Sequence, residues 1–516
     1  MSASPRGVLV VDFGAQYAQL IARRVREANV WSEIAPPEKA LARAREMNLC
    51  GIILSGGPGS VYDDDAPALP TELLELNVPV LGICYGLQAM VQALGGEVEA
   101  TDRREFGRTS VEIVRPEGLF DGVDGRTVVW MSHGDKVTRL PAGFQVYARS
   151  DDCEFAAVGA TERGFCGVQF HPEVAHTLRG REIIENFVWR VCGIPGDWTP
   201  GSIVDREVAK IREQVGERGE IVLGLSGGVD SSVAAMIAHQ AVGDRLHCIF
   251  VDNGLLRKGE RESVERIFGQ HFHMDLMVVD ASERFLDRLK GISEPEEKRK
   301  RIGHEFVEVF RREAQRFERA SFLGQGTLYP DVIESVSAHG GKTAVIKSHH
   351  NVGGLPEDLE MDLVEPLREL FKDEVRTIGR HLGLAPELID RQPFPGPGLA
   401  VRCLGEITPE RLAVLRAADD IVTREIEAAG AHKRLWQYFA VLLPVRSVGV
   451  MGDKRTYEEV CAIRLVESED AMTADWVQLP KDLLGRISNR IINEVRGINR
   501  VVLDISSKPP ATIEWE

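Results

Sequence analysis

Short apolar runs alternate with amphipathic stretches in two separate parts of this 516-residue sequence. Runs that are apolar throughout predict strands buried on both faces, whereas apolar residues spaced three and four apart predict helices between them. The predicted strands of this kind lie at residues 7–12, 51–54, 78–84, 221–225, 247–252 and 276–280. Because helices cover both faces of such sheets, the pattern predicts the α/β class, with two doubly wound, mostly parallel sheets.

Two stretches rich in glycine and proline divide the sequence, at residues 193–202 and 391–400. Proline and glycine end regular elements, so we place domain boundaries there. After the second stretch the predicted order is helix, two strands, helix and strand, which is an α+β arrangement rather than an alternating one. The sequence thus predicts three domains, at 7–195, 196–391 and 392–516, of which the last is the smallest.

Charge and cysteine usage limit the partners and the compartment. The 62 basic and 79 acidic residues give a net charge of −17, which argues against a nucleic-acid partner because such proteins usually carry a basic face. The eight cysteines include no C-x-x-C pair, which fits a reducing compartment. No apolar run approaches the roughly 20 residues of a membrane span, and no secretory signal pattern precedes the first strand. We therefore expect a cytoplasmic protein without a membrane partner.

The segment Gly82–Gly86 (GICYG) lies where a predicted strand meets a predicted helix. It has the form of a nucleophile elbow, G-x-nucleophile-x-G, with Cys84 in the place of the nucleophile. The glycines leave room for a sharp turn that lifts the sulfur clear of the sheet, and the helix N-terminus favours a thiolate. The alternative for a lone cysteine is a buried core residue.

Two further features favour the catalytic interpretation of this cysteine. His171 and Glu173 are two residues apart on an extended segment, so their side chains point the same way and the carboxylate can orient the imidazole. With His171 as general base, they complete a Cys-His-Glu triad with Cys84. A Gly-rich stretch follows another predicted strand, and the backbone N–H groups of Gly57 and Tyr85 are candidates for an oxyanion hole.

Together, and in this order, these segments resemble a class I (triad-type) glutamine amidotransferase domain, over about residues 8–191. The resemblance implies that Cys84 forms a thioester with the side chain of glutamine, that ammonia is released, and that hydrolysis then gives glutamate. It also implies a set of glutamine-binding residues, which are Gln88, Ser132, His133 and Asp135.

A second chemical motif, SGGVDSS at residues 226–232, follows a predicted strand and begins a helix. Its glycines permit close backbone approach and the helix N–H groups face an anion, so it predicts a phosphate cradle rather than a plain turn. It lacks the lysine of a Walker A loop and resembles instead the loop by which N-type ATP pyrophosphatases hold the departing pyrophosphate. The ATP-binding residues implied are Ser226, Gly227, Gly228, Val229, Asp230, Ser231 and Ser232. Asp230 is also expected to bind the Mg²⁺ that accompanies ATP.

Three more positions are added to the predicted ATP site. Val251 ends the next strand, at the edge where open α/β sheets bind nucleotides. Gly326 ends another strand and is expected to approach the ribose or adenine. Lys347 follows a polar, Gly-rich segment that predicts a lid over ATP, with the lysine facing phosphates. The alternative for that segment is a solvated surface loop.

Two stretches, RQPFPGPGL at 391–399 and SKPPATIEWE at 507–516, extend the resemblance along the whole sequence, to glutamine-hydrolysing GMP synthases. This family is expected to convert XMP, ATP, glutamine and water to GMP, AMP, diphosphate and glutamate through an adenylyl-XMP intermediate. The resemblance implies that the last domain binds XMP and forms a homodimer. The expected XMP-binding residues are Pro395, Gly396, Arg402, Lys508, Thr512 and Glu514.

Three other functions are less consistent with the sequence. A sensing protein with degenerate enzyme domains is disfavoured because Cys84, His171, Glu173 and Asp230 are all intact. A tRNA-modifying enzyme is disfavoured by the net charge of −17 and the absence of a C-x-x-C pair. A glutamine-dependent NAD synthetase is the nearest rival, but it would be expected to use a nitrilase-type glutaminase with a Glu-Lys-Cys set.

Overall fold

The computed structural model describes residues 5–15, 17–337, 361–451, 454–468 and 473–516. The chain forms two compact units, residues 1–206 and 207–516. The boundary predicted at residue 391 lies inside the second unit, and the division into three domains stays a prediction. Within the described ranges, no helix is both long enough and apolar enough to cross a membrane.

A nine-stranded sheet, in the order β2-β1-β3-β4-β9-β8-β7-β5-β6, forms the centre of the first unit. Its strands are β1 (Arg6–Val11), β2 (Trp31–Ala35), β3 (Asn48–Leu54), β4 (Val80–Ile83), β5 (Glu97–Ile113), β6 (Arg126–Arg139), β7 (Gln145–Arg149), β8 (Ala157–Ala160) and β9 (Phe165–Val168). The helices are α1 (Ala18–Glu27), α2 (Pro37–Glu46), α3 (Tyr85–Ala93), α4 (Gly180–Asn186) and α5 (Pro200–Val215), the last of which begins in this unit. Strands β2, β1, β3, β4 and β9 pair in parallel, which confirms the predicted α/β class with a parallel-rich sheet.

The other half of this sheet differs from the doubly wound prediction. From β9 through β8, β7 and β5 to β6, each strand pairs antiparallel to its neighbour. Along the first half of β6, buried residues alternate with half-exposed ones. This alternation is typical of antiparallel strands with one solvated face, whereas strands of a doubly wound sheet are buried on both. The antiparallel half lies next to β9, close to the segment that carries His171.

The second unit contains a five-stranded parallel sheet in the order β12-β11-β10-β13-β14. Its strands are β10 (Glu220–Gly224), β11 (Leu246–Asp252), β12 (Asp275–Asp280), β13 (Ala320–Gly324) and β14 (Asp362–Val364). Its helices are α6 (Val229–Val242), α7 (Glu260–Val264), α8 (Ser282–Leu289), α9 (Pro295–Ala314), α10 (Tyr329–Ser337), α11 (Lys372–His381) and α12 (Pro386–Ile389). The strand order reverses between β10 and β13, which is where open α/β sheets bind their ligands.

A smaller mixed sheet completes the second unit. Its elements are α13 (Pro409–Ala428), β15 (Gln437–Met451), β16 (Lys454–Glu467), β17 (Asp475–Trp476), α14 (Lys481–Glu494) and β18 (Ile498–Asp504). Strand β16 pairs antiparallel with β15 and β17 and parallel with β18. Helix α13 begins with a proline behind Thr408, whose side chain accepts a hydrogen bond from the N–H of Arg411. One hydrophobic core contains residues of both sheets, from Val222 of the parallel sheet to Ile463 of the mixed sheet. The two sheets therefore share a core.

Candidate active site

Cys84 stands between β4 and α3 in a strained turn. Its φ of +51° lies in the left-handed region that residues other than glycine rarely adopt. The strand predicted to include Cys84 therefore ends one residue earlier, because an extended backbone would not make the turn. A Cβ at Gly82 would lie 2.6 Å from backbone atoms of α3, and one at Gly86 would lie 2.3 Å from a carbonyl oxygen of β3. Both glycines are required by this packing, as the elbow interpretation predicts.

His171 interacts with both the thiol and a carboxylate. Its Nδ1 is 2.7 Å from Oε1 of Glu173, and both side chains are almost completely buried. Burial lowers the pKa of His171, but the charges and hydrogen bonds of Glu173 and Cys84 raise it by more. The net effect is a pKa raised from 6.5 to about 11. The hydroxyl of Thr177 donates to the carbonyl of His171 at 2.6 Å and holds this segment in place. The structure thus brings together the three residues predicted as a triad, with a charged imidazole favoured.

The predicted oxyanion-hole residues are neighbours. A Cβ on Gly57 would lie 2.7 Å from the ring of Tyr85, so only glycine allows this approach. Tyr85 is the first residue of α3, where backbone N–H groups have no partner inside the helix. The N–H of Gly86 donates to the carbonyl of Ser55 at 3.0 Å and fixes the Gly-rich loop against the elbow. Free N–H groups beside the sulfur can stabilise negative charge on a substrate oxygen.

The four predicted glutamine-binding residues lie on strand β6 and the first turn of α3. The carbonyl of Ser132 lies 3.6 Å from Sγ of Cys84. Gln88 donates from Nε2 to the carbonyl of Asp135 at 2.8 Å, and Nδ1 of His133 lies 3.0 Å from the same oxygen. Strand β6 and the first turn of α3 therefore form a polar wall beside this sulfur.

Gln169 is a buried residue of this site that the sequence interpretation missed. Its Nε2 approaches Sγ of Cys84 at 3.7 Å, and its Oε1 accepts from Gln88 at 3.4 Å. It lies two residues before His171, in the bend that follows β9. The segment that carries His171 and Glu173 is therefore a bend and a turn rather than the extended stretch expected from sequence, and the nearness of Gln169 to His171 in sequence was the one signal for it.

The motif at residues 226–232 follows β10 and includes the first four residues of α6, so it lies at a strand-to-helix junction as predicted. Gly227 has a φ of +74°, and a Cβ there would lie 3.0 Å from a side chain of α7. The hydroxyls of Ser226 and Ser231 lie 2.9 Å apart, and Ser231 and Ser232 both donate to the carbonyl of Gly228. These bonds hold the loop open around the first turn of α6, whose N–H groups are free to face an anion.

Asp230 and Lys372 form an ion pair at this loop. Nζ of Lys372 lies 2.6 Å from Oδ2 of Asp230, while Oδ1 is buried and without a hydrogen bond from the described residues. A carboxylate oxygen without a partner is the type of ligand that Mg²⁺ takes, so the donor set fits the metal expected here. Lys372 is 142 residues away in sequence, and no local signal pointed to it.

Two of the remaining ATP predictions can be located. A Cβ on Gly326 would lie 3.4 Å from the backbone of Asp230 and Ser231, so the end of β13 packs against the loop. Val251 is buried near the end of β11, next to β10 in the sheet. Lys347, with the predicted lid, lies outside the described residues. The loop and the end of β13 thus meet at the point where the strand order reverses.

The loop that contains Pro395 and Gly396 packs against the segment after β11. Gly398 has a φ of +63°, and a Cβ there would lie 2.5 Å from the carbonyl of Leu255. The N–H of Leu399 donates to the same carbonyl at 2.8 Å. These contacts place the predicted XMP loop beside the carboxyl edge of the parallel sheet.

Arg402 and Glu514, both predicted to contact XMP, pair with each other. Two hydrogen bonds of 3.0 and 2.8 Å join the guanidinium to the carboxylate, and Arg402 is completely buried over the ring of Phe439. The hydroxyl of Thr512 donates to the carbonyl of Glu514. Lys508 pairs with Ala474 through two backbone hydrogen bonds. The segment 507–516 is therefore fixed by defined contacts.

Arg257 is a buried cation of this region that the sequence interpretation missed. Burial lowers its pKa to about 10, against the opposing effect of Asp419. Its Nε lies 3.7 Å from Oδ2 of Asp419, but Nε and Nη2 have no hydrogen bond from the described residues. Its guanidinium lies over the ring of Phe394, as that of Arg402 does. Buried N–H groups of arginine that lack a hydrogen bond are suited to an anion such as phosphate.

The comparisons with known proteins cover the whole chain. Family models match at residues 9–191 (glutamine amidotransferase class-I), 203–281 (NAD synthase) and 424–515 (GMP synthase C terminal domain). A protein of Brachyspira hyodysenteriae named GMP synthase (glutamine-hydrolyzing) is 57% identical over 99% of both chains. Proteins of the same name from Phenylobacterium zucineum and Maridesulfovibrio salexigens are 58% and 57% identical, over 100% and 99% of this chain and 99% of each relative.

Proposed function

The chain belongs to the family of glutamine-hydrolysing GMP synthases, and on that premise we propose how its residues make GMP. The reaction takes nitrogen from glutamine and energy from ATP, and it converts XMP to GMP with release of AMP, diphosphate and glutamate. Two chemical steps are needed, the release of ammonia and the activation of the acceptor. Each step is assigned to the site whose geometry suits it.

Ammonia is released at Cys84. The thiolate attacks the side-chain carbonyl carbon of glutamine, and the N–H groups of Gly57 and Tyr85 stabilise the oxyanion that forms. His171 gives its proton to the leaving ammonia, which leaves a thioester on Cys84. Water then attacks the thioester, with His171 accepting its proton, and glutamate departs. Glu173 keeps the imidazole in the orientation and charge state that both proton transfers require.

Glutamine is selected by the polar wall around this sulfur. We assign its recognition to Gln88, Ser132, His133 and Asp135, with Gln169 added from the geometry. Gln88 donates both to Gln169 and to the carbonyl of Asp135 on β6, so the amides of Gln88 and Gln169 are already oriented before substrate arrives. Sites built from oriented hydrogen-bonding groups reject analogues that lack the matching group.

The acceptor is activated at the loop that follows β10. The oxygen on C2 of XMP attacks the α phosphorus of ATP, and the diphosphate that leaves is held by the N–H groups and hydroxyls of Ser226–Ser232. Lys372 adds a positive charge at the same place. Asp230 would hold Mg²⁺ through its unpartnered oxygen, and bound Mg²⁺ neutralises charge on phosphates. Val251 and Gly326 line the remainder of the nucleotide site, and Lys347 stays a prediction for its phosphates.

Ammonia then attacks C2 of the adenylylated base, and AMP departs. We propose that Pro395 and Gly396 pack against XMP, that Lys508 and Arg257 neutralise its phosphate, and that Thr512 offers a hydroxyl. Two hydrogen bonds from Arg402 fix the carboxylate of Glu514 in one orientation. We propose that this carboxylate accepts a hydrogen bond from the base or the ribose.

A homodimer through the mixed sheet is part of this proposal. Val445, Val448, Val450 and Tyr457 on β15 and β16 are all exposed, as is Val502 on β18. Large apolar side chains clustered on one sheet are typical of subunit interfaces. We expect sedimentation to give twice the chain mass, and Val450→Glu to give a monomer.

The eight free cysteines also support the proposed cytoplasmic location, where thiols stay reduced.

The observation that carries the proposal is the buried His171–Glu173 pair beside a cysteine on a strained elbow, in a chain whose second unit holds a separate phosphate cradle. The NAD synthase match covers only residues 203–281, whereas the relatives that match throughout are named GMP synthase.

The test supplies XMP, ATP and glutamine labelled with ¹⁵N in the side-chain amide. We expect the label at the 2-amino group of GMP, together with equal amounts of AMP and diphosphate. Unlabelled GMP, or adenylylation of nicotinate adenine dinucleotide instead of XMP, would overturn it.

A further inference from the structure

Glu105, His133 and Cys153 form a compact cluster, of which only His133 has been given a role above. Glu105 is on β5, His133 is on the neighbouring strand β6, and Cys153 follows β7. One ligand atom from each residue lies within 4.8 Å of the other two. His133 and Cys153 are buried, while Glu105 is partly exposed. It is the one group of this kind among the described residues.

The hydrogen bond of His133 defines which of its nitrogens is free. Nδ1 lies 3.0 Å from the carbonyl of Asp135, which can only accept, so Nδ1 carries the proton. In a neutral ring Nε2 then has no proton and can only accept a hydrogen bond or bind a cation. Nε2 of His133 and Oε2 of Glu105 are both buried, and neither has a hydrogen bond from the described residues, although they lie 3.4 Å apart. Two acceptors that face each other at this distance repel unless a cation lies between them.

The distance between these two acceptors fits a metal better than a hydrogen bond. Two ligand atoms on a tetrahedral Zn²⁺, with bonds of about 2.0–2.2 Å, are separated by about 3.4 Å. A hydrogen bond between nitrogen and oxygen is usually shorter, about 2.7–3.2 Å. Histidine, carboxylate and cysteine are also the ligand types that Zn²⁺ takes in proteins.

The surroundings of the cluster orient its ligands. Metal-binding histidines usually donate their other N–H to a carbonyl or carboxylate, as Nδ1 of His133 is placed to do with Asp135. The hydroxyl of Ser150 lies 3.4 Å from Oε1 of Glu105 and accepts from the N–H of Cys153 at 3.0 Å. One serine therefore bridges the other two ligands. Such outer contacts are expected of a built site rather than a chance cluster.

We propose that Glu105, His133 and Cys153 bind a divalent transition metal of the Zn²⁺ class, with water in the fourth position. Burial raises the pKa of the Cys153 thiol to about 12, so the metal must displace its proton, and one proton is released to solvent for each ion bound. His133 is next to Ser132 on β6, so bound metal would stiffen the part of this strand that faces Cys84.

The test measures metal on the purified full-length chain. The protein is incubated with Zn²⁺ or Co²⁺ and dialysed, and its metal content is measured by elemental analysis. We expect about one ion per chain, and with Co²⁺ a thiolate-to-metal absorption band. Cys153→Ser is expected to lose the band and most of the metal. Wild type without stoichiometric metal would overturn the proposal and leave a shared proton as the cation between His133 and Glu105.

Two variants make this outcome specific to the cluster. Cys84→Ser removes the other thiol that lies beside a histidine, and it is expected to keep both the metal and the band. If Cys153→Ser does not fold by circular dichroism, Glu105→Gln replaces it and is expected to weaken Zn²⁺ binding by at least about tenfold. Metal and band retained in Cys153→Ser, or lost in Cys84→Ser, would place the ion elsewhere and refute the assignment. Metal content is independent of GMP synthesis, so this test does not depend on the proposed function.

Discussion

Replacing Glu173 by glutamine removes the charge that supports the imidazolium of His171 without changing the size of the side chain. The carboxylate is completely buried and lies 2.7 Å from Nδ1, so solvent screens the interaction little. The pKa of His171 is raised from 6.5 to about 11, which corresponds to roughly 6 kcal/mol in favour of the charged ring. Glu173 shares this effect with Cys84. If the carboxylate supplies about half, its loss costs about 3 kcal/mol, or roughly a 10²-fold loss of glutaminase rate.

The assay compares kcat/KM for glutamine hydrolysis between pH 6 and 10 with GMP formation from ammonium. Glu173→Gln is expected to lose at least about 10²-fold on glutamine. It should retain the ammonium reaction, because that chemistry is assigned to the other unit. Glu162→Gln, an exposed position in the same unit, is the matched control and should behave as wild type. A Glu173→Gln variant within about twofold of wild type on glutamine, or one that loses both reactions equally, would refute this assignment.

Three other outcomes follow from the same contacts. Gly86→Ala would place a Cβ 2.3 Å from the carbonyl oxygen of Leu54. We expect denaturant titration to show a loss of several kcal/mol in the free energy of unfolding, and unchanged stability would contradict the elbow packing. Asp230→Asn should abolish XMP-dependent diphosphate release but leave hydrolysis of glutamine intact, and a variant that still releases diphosphate normally would remove Asp230 from the ATP site. Glu514→Gln leaves the buried charge of Arg402 uncompensated, so KM for XMP should rise about tenfold or more with KM for glutamine unchanged, and equal changes in both would indicate global damage.

The stability of the first unit should also depend on pH through His171. A pKa raised by folding stabilises the protein fully below the unfolded value of 6.5, and the stabilisation disappears as the pH rises through about 11. The melting temperature of wild type should therefore fall between pH 7 and 11 more steeply than that of Glu173→Gln, as measured by differential scanning calorimetry. Parallel curves would show that the pair does not contribute.

The catalytic features that could be predicted from sequence are those with short-range causes. The elbow around Cys84 needs two glycines because backbone atoms approach within 2.6 Å, and that requirement is visible in five consecutive residues. His171 and Glu173 are only two residues apart, so their pairing is local, although the segment after β9 is a bend and a turn rather than the predicted extended stretch. The phosphate loop is likewise local, since its hydrogen bonds join residues no more than five apart.

The features that escaped prediction depend on tertiary structure. Lys372 meets Asp230 across 142 residues of sequence, and Arg402 meets Glu514 across 112, so neither pairing leaves a local pattern. The antiparallel half of the first sheet was missed because short apolar runs do not distinguish parallel from antiparallel neighbours. The cluster of Glu105, His133 and Cys153 also could not be predicted, because its residues are distant in sequence and only the pairing of β5 with β6 and β7 brings them together.

We propose that one site releases ammonia and that a second, independent site uses it. GMP formation from XMP and Mg·ATP is to be measured for wild type and Cys84→Ala, each supplied with glutamine or with ammonium. We expect Cys84→Ala to make no GMP from glutamine and to make it from ammonium at a rate close to that of wild type. GMP formation from glutamine by Cys84→Ala, or loss of the ammonium reaction in that variant, would contradict it.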